Sequence, residues 1–502
     1  MTMIFPNIIR DLDRDSLANH IYGLRIHEDQ TLYEYLLEFL LIFISQKGVG
    51  THKGFNNAFP DLDLIQDSTD RLQYFALNRM GLKRFVFFER SKNENKYQVD
   101  KEAYNEICNL IEKKINIESD NFDRSEVLNV MQDLFYGFNA IIRNRSWFVQ
   151  SLLPICPEVI FSETMGRNKD RVNLKFKIDS KDVDYKFEIN GHYFLARSGE
   201  VYFLHILQGL IQTPEKQLQL EIGIRNLLSS FPQFSHLSNW IQHQWEKYVF
   251  FEQTPIVKTC EWIPAGYERR ASYTVNELLI FLQSNIDPFQ KTEILATGVI
   301  LQVLRMMHEQ AHFELNGNDS PPVWIVDLKG NQYGEIRKRS IISYNSCEDD
   351  LLAVLYTKLD VLSDKKKAGK SDVKLISEAT ESSHKLFRKM GKEIELVIPP
   401  KGGGMRFSLS ENLVKFLVLS IIPPNKKVSL TTFLKEIYKH YYIIIGPQEM
   451  LECSFQNRET ELNISDFEYN KNAFQELLKK CGFLRDLSDS TSIVENPFGR
   501  IK

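Results

Sequence analysis

Apolar residues recur at helical spacing through most of the chain, and the period shortens to two in only a few stretches. Leu36, Leu37, Leu40 and Leu41 fall at i, i+1, i+4 and i+5, the wide face of a buried helix, which Gly48 and Gly50 should end. Tyr104, Ile107, Cys108 and Ile111 predict a helix over 101–115, and Val127, Val130, Met131 and Leu134 predict another over 125–142. Residues 1–165 thus read as a helical domain. Beyond 171 the pattern alternates: Val172, Leu174, Phe176 and Ile178 mark a half-buried strand. Asn190-Gly191 supplies a type I′ turn between strands over 185–189 and 192–196. Helices return over 201–248, 276–283 and 291–314. A strand from Val323 to Asp327 should turn at Lys329-Gly330-Asn331 and come back over 335–342, before a helix over 349–362. Residues 166–363 therefore read as a mixed α+β domain, and 364–400 as a basic linker with one strand.

At Lys401-Gly402-Gly403-Gly404 the chain reads as a flexible tether leading into a last domain, 401–502. Helices are expected over 410–420 and 431–440, with a short segment around Val428 between them. The apolar run Tyr442-Ile443-Ile444-Ile445 stops at Gly446-Pro447, a short helix lies near Gln448, and a final helix spans 471–481. A hairpin then pairs 483–487 with 493–495 across Ser488-Asp489-Ser490. Helix, helix, helix and a two-stranded wing is the order of a winged-helix module, which binds DNA or protein. The fold class expected is α+β, predominantly helical and multidomain, with this module at the C-terminus.

Composition narrows the picture further. With 502 residues, 43% hydrophobic and 25% charged, the chain is ordinary globular material with more than one core. A net charge of -4 provides no global attraction to nucleic acid, so any such contact needs a local basic patch. Six cysteines are scattered without a C-x-x-C pair, which points to a reducing cytoplasm. Asp11, Asp13, Arg14 and Asp15 near the start do not suit a signal peptide. The most apolar run, 35–45, includes Glu38 and is about half the roughly 20 residues a bilayer requires. No membrane association is expected.

Three patterns could carry chemistry. His308-Glu309-Gln310-Ala311-His312 resembles the zincin metalloprotease signature, in which two imidazoles one helical turn apart hold zinc and the Glu activates water. Glu314 stands where zincins carry an apolar residue, and for the third ligand Glu335 and Glu348 are available, without the local pattern that gluzincins show. Val323 to Lys329, ending Asp327-Leu328-Lys329 with Asp319 upstream, resembles a PD-(D/E)-x-K nuclease core, where carboxylates hold Mg²⁺ and the Lys positions water. Asp184-Tyr185-Lys186 repeats the same three-letter pattern and shows how easily it arises. Ala368-Gly369-Lys370-Ser371 imitates the end of a P-loop, but Asp364 replaces the glycine that loop needs. The ordinary reading of all three is structural, so no cofactor is expected; metal on His308 and His312, with Glu309, Asp327 and Lys329 as catalytic groups, is the alternative.

For nucleic acid, residues 365–406 hold eleven Lys or Arg against five Asp or Glu, whereas 405–502 is nearly balanced, thirteen against twelve. Lys365, Lys366, Lys367 and Lys370 lie in the basic stretch. On the last helix Lys471, Asn472, Gln475, Lys479 and Lys480 form a phosphate-and-base set. Arg143, Arg145, Arg167, Lys169 and Arg171 form a second basic cluster.

The segments Ile394-Glu395-Leu396-Val397-Ile398-Pro399-Pro400, Met405-Arg406-Phe407 and Val494-Glu495-Asn496-Pro497-Phe498 resemble uncharacterised proteins of multigene bacterial anti-phage defence islands, the methylation-associated systems in particular. The resemblance covers about the last hundred residues. It implies a non-catalytic or unassigned subunit working beside a methyltransferase, an ATPase or a nuclease; the partners expected are other defence-system subunits, with double-stranded DNA as a further candidate.

Overall fold

Helices dominate this computed structural model, which describes residues 3–8, 16–23, 30–50, 52–55, 58–77, 79–90, 98–116, 123–141, 150–161, 173–178, 181–186, 198–246, 256–317, 321–328, 334–361, 370–457, 464–486 and 492–501. The predominantly helical α+β class is as the periodicity predicts. Helix α1 (Leu32–Ile44) begins at a capping box of Thr31 and Glu34 and buries Leu36, Phe39, Leu40 and Phe43. It ends at Ser45, before the two glycines expected to stop it. Gly48 instead lies in a strand, β1 (Gln46–Val49), which pairs with β2 (His52–Phe55) and β3 (Leu72–Ala76).

Helix α2 (Ser198–Gln212) packs on α1, and β4 (Ile256–Thr259) completes an antiparallel sheet of order β2-β1-β3-β4. A lysine interrupts the apolar pattern of this sheet, so the sequence does not announce it. Lys47 is wholly buried, and its Nζ donates to the carbonyls of Phe43 and Ser45 at 3.0 and 2.7 Å. Burial pushes the Lys47 ammonium down to about 7.

Helix α3 (Glu268–Gln283) lies against α2 at Gly209, where a Cβ would come within 2.3 Å of the Ala271 carbonyl. The axis of the molecule is α4 (Pro288–Asn316). Asp287 caps it by accepting from Phe289 and Gln290 N–H, and Pro288 sits in its first turn. Nearly every residue from Lys291 to Ala311 is buried, the mark of a helix surrounded on all sides. The strand expected from Val323 is short: β5 (Trp324–Ile325).

The return strand expected over 335–342 is instead helical, part of α5 (Gly334–Thr357). Its buried residues Ile336, Ser340, Tyr344, Cys347, Leu351 and Val354 recur every three or four positions, which only a helix can place on one face. Two more helical segments, Asp372–Thr380 and Leu386–Glu393, lie within 364–400. Lys401–Gly404 is the turn of a small antiparallel hairpin pairing Val397–Ile398 with Arg406–Phe407, and Gly402 and Gly404 take the positive φ angles it needs (92° and 72°).

The remaining elements are α6 (Glu411–Ile421), β6 (Lys427–Ser429), α7 (Leu430–Tyr441), β7 (Ile443–Ile444), α8 (Pro447–Asn457), α9 (Ile464–Lys480), β8 (Leu484–Asp486) and β9 (Ser492–Glu495). Strand β9 lies between β6 and β8, antiparallel to both. Strand β7 runs elsewhere and pairs in parallel with β5, Trp324 opposite Ile443. Phe416 of α6 fits against Gly298 of α4, where a Cβ would meet its ring at 2.1 Å. One apolar core runs from Leu17 to Val494, so residues after 401 share it with those before. Among the described residues no helix is long and apolar enough to cross a membrane.

Asn470 of α9 pins these parts together. It accepts from Leu328 N–H and donates to the carbonyls of Val326 and Ile445, each at 3.0 Å, while 1% exposed. Asn470→Ala leaves three interior main-chain groups unpaired and should lower unfolding free energy by about 2–4 kcal/mol. Urea titration with unchanged midpoint would show that these bonds contribute nothing.

Candidate functional site

The H-E-x-x-H segment lies on α4, and helical spacing turns His308 and His312 toward α5. Helix α5 contributes Asp350, the member that sequence reasoning missed. Asp350 Oδ2 accepts from His312 Nδ1 at 2.7 Å and from His308 Nε2 at 3.3 Å. One ligand-type atom from each residue lies within 4.8 Å of the others. The acids considered from sequence are engaged elsewhere. Glu335 is 3.5 Å from Arg339, four residues along its own helix. Glu348 accepts from Arg388 at 2.9 Å and from Tyr344, with His384 at 3.3 Å. Burial would raise its carboxyl, but His384, Tyr344 and Arg388 hold Glu348 at about 2.

Hydrogen-bond direction decides what the triad can do. Trp324 Nε1 donates to His308 Nδ1 at 2.8 Å, with the two rings only 5° apart. An indole N–H can only donate, so neutral His308 carries its proton on Nε2 and directs it at Asp350. A metal ligand needs the opposite arrangement, with a lone pair on Nε2 and the proton on Nδ1 facing an acceptor. His308 as placed does not fit that role. Burial pushes the His308 imidazole down to about 4 against the raising effect of Asp350. Asp350 is held at about 2: burial raises it, and the bonds from both histidines outweigh that.

Glu309, the expected water-activating base, points away from the histidines' partner. Arg305 Nε donates to its Oε1 at 2.8 Å, and Arg270 Nε lies 3.4 Å from the same oxygen. The nuclease reading meets a similar obstacle. Asp327 is 2% exposed and accepts from Arg406 Nε at 2.7 Å, so a guanidinium occupies the place of a cation. Lys329 and Asp319 lie outside the described residues, as do Lys365, Lys366 and Lys367, the basic cluster from Arg143 to Arg171 and the Asn190-Gly191 turn. Asp184 and Lys186 sit on a strand, Lys181–Lys186, paired with Asn173–Ile178.

On α9 the nucleic-acid set is split by its own acids. Lys471 lies 3.0 Å from Glu468 and Lys479 lies 3.4 Å from Glu476, both three residues back. Lys480 reaches Glu411 of α6 at 2.6 Å. Gln475 Nε2 donates to Ser492 Oγ on β9 at 2.9 Å, and Asn472 is exposed. Lys370 lies 2.8 Å from Glu378. The chain matches no protein-family model, no curated protein and no solved structure.

Two measurements follow from the triad. Zinc in purified protein should fall well short of one per chain; stoichiometric zinc that is lost in His308→Ala would restore the peptidase reading. The second concerns acid. His308 folds with a pKa of about 4 against an ordinary 6.5, so the unfolded chain takes up the proton first. Its contribution is intact above about 6.5 and is lost as pH falls toward 4, to a total of about 3 kcal/mol. His205, pushed by burial to about 3, acts in the same interval, so the comparison is with a variant. His308→Gln should show a shallower loss of stability between pH 6.5 and 4.5 than wild type, and parallel curves would contradict the assignment.

Proposed function

We propose that this chain is a non-catalytic scaffolding subunit of a bacterial anti-phage defence assembly, docking through a winged-helix module over residues 411–495. The observation that carries the reading is the strand order β6-β9-β8 behind three helices, α6, α7 and α9, with β8 and β9 as the wing. Strand β7 and helix α8 are an insertion between the second and third helices of that pattern. A winged helix presents its third helix outward, and here Asn472, Glu476, Lys479 and Lys480 are exposed on it. The resemblance of the last hundred residues to defence-island proteins supports the cellular setting. Commitment of Glu309 and Asp327 to arginines supports a role without hydrolysis.

Duplex DNA contact is the second reading, favoured by the exposed Asn472 and Lys480. Against it, lysines neutralised by their own helix's acids release few counterions. Full-length protein should bind duplex DNA weakly, and replacing Lys471, Lys479 and Lys480 by Ala should leave the slope of log K against log salt within about one unit of wild type. A change of two to three units would make α9 a DNA-contacting helix. Expressed with its neighbouring defence genes, the chain should copurify with one of their products, and Asn472→Arg should break that association. Retained association in the variant would remove α9 from the interface.

A further inference from the structure

Arg270 and Arg305 approach the same oxygen, Glu309 Oε1, while only 5% and 0% exposed. One carboxylate therefore serves two buried cations. Glu277, on the same helix as Arg270, is taken: it accepts from His440 Nδ1 and Tyr441 Oη, each at 2.6 Å, and from Gln302. Arg305 Nη2 donates to the Pro322 carbonyl. Among the described residues, Arg270 Nε and Nη2 and Arg305 Nη1 find no hydrogen-bond acceptor.

Aromatic rings cover the faces of both guanidiniums. Tyr273, Tyr441 and Tyr442 lie 5.5, 5.7 and 5.3 Å from Arg270, and Trp324 and Tyr442 lie 4.7 and 4.9 Å from Arg305. Rings attract a cation through its face but offer nothing to N–H groups in the guanidinium plane. Tyr442, the ring common to both, is partly exposed and sits at φ 49°, ψ 33°. That left-handed backbone is unfavourable for a bulky residue and persists only where its surroundings enforce it. Strain, excess positive charge and unpaired interior donors thus coincide at one place.

We propose that Arg270 and Arg305 form a receptor for one phosphate-sized oxyanion, entered beside Tyr442. Planar guanidinium forks match the oxygens of such an anion in pairs, and a desolvated pair binds it more strongly than surface lysines would. Glu309 keeps both arginines aligned and leaves them one positive charge in excess. This inference stands independently of the scaffolding role.

The test uses full-length protein and inorganic phosphate, titrated calorimetrically at constant ionic strength. Wild type should bind one phosphate per chain saturably. Arg270→Gln should weaken binding tenfold or more, whereas the exposed control Lys338→Ala should not change it. Because Arg270→Gln could fail to fold, wild-type crystals grown with selenate give an independent answer. Anomalous density should lie within hydrogen-bonding distance of both guanidiniums. Absence of saturable binding to wild type, unweakened binding by folded Arg270→Gln, or selenate density absent from this position would each overturn the proposal.

Discussion

Arg305 sits in the middle of α4 with no exposure to water, and its desolvation has to be offset by groups drawn from three parts of the chain. Glu309 comes from the next turn of the same helix, the Pro322 carbonyl from the approach to β5, and the ring of Tyr442 from the turn between α7 and β7. Burial lowers the Arg305 pKa, and Glu309 works against that. A buried charge that loses a partner costs about 3–5 kcal/mol, far more than a surface pair contributes. The arrangement of β5 beside β7 is thus tied to the needs of one side chain as well as to two ladder positions.

Around that side chain, α4 separates two kinds of polar contact. Gln302, Arg305 and Glu309 face α3 and α7, where Glu277, His440 and Tyr441 close a second network. His308 and His312 face α5 and Asp350, with Trp324 between the two sides: its ring lies over Arg305 and its N–H donates to His308. Trp324 thereby links the arginine network to the histidine–aspartate one. As placed, the bonds among His308, His312, Asp350 and Trp324 tie α4, α5 and β5 together.

Much of this was legible from periodicity. Long helices declared themselves wherever apolar residues repeated over several turns, as in α1, α4 and α7, and β8 and β9 pair as the expected hairpin. Two kinds of element did not. The strands of the N-terminal sheet carry Lys47 at an interior position, so a polarity pattern breaks where the fold does not. At 335–342 a turn-like Lys329-Gly330-Asn331 suggested a hairpin, although Ile336, Ser340 and Tyr344 continued the helical spacing of the residues after 349. The site was half visible: His308 and His312 share a turn, but Asp350 reaches them only because α5 packs along α4. No local spacing encodes that approach, nor the tryptophan that fixes the tautomer.

The pairing of β5 with β7 has a consequence for how the polypeptide is made. Arg305 leaves the ribosome more than 100 residues before Tyr441 and Tyr442, which at roughly 5–20 residues per second is a delay on the order of ten seconds. Until then the arginines and glutamates of α3 and α4 lack the tyrosine rings and the histidine that later cover them, although the apolar faces of α1 to α4 can already meet. The polar centre therefore gains its last covering groups only once residues 440–442 have been made. Premature termination after α5 would leave that centre open and charged, a molecule that quality-control proteases could distinguish from the finished one.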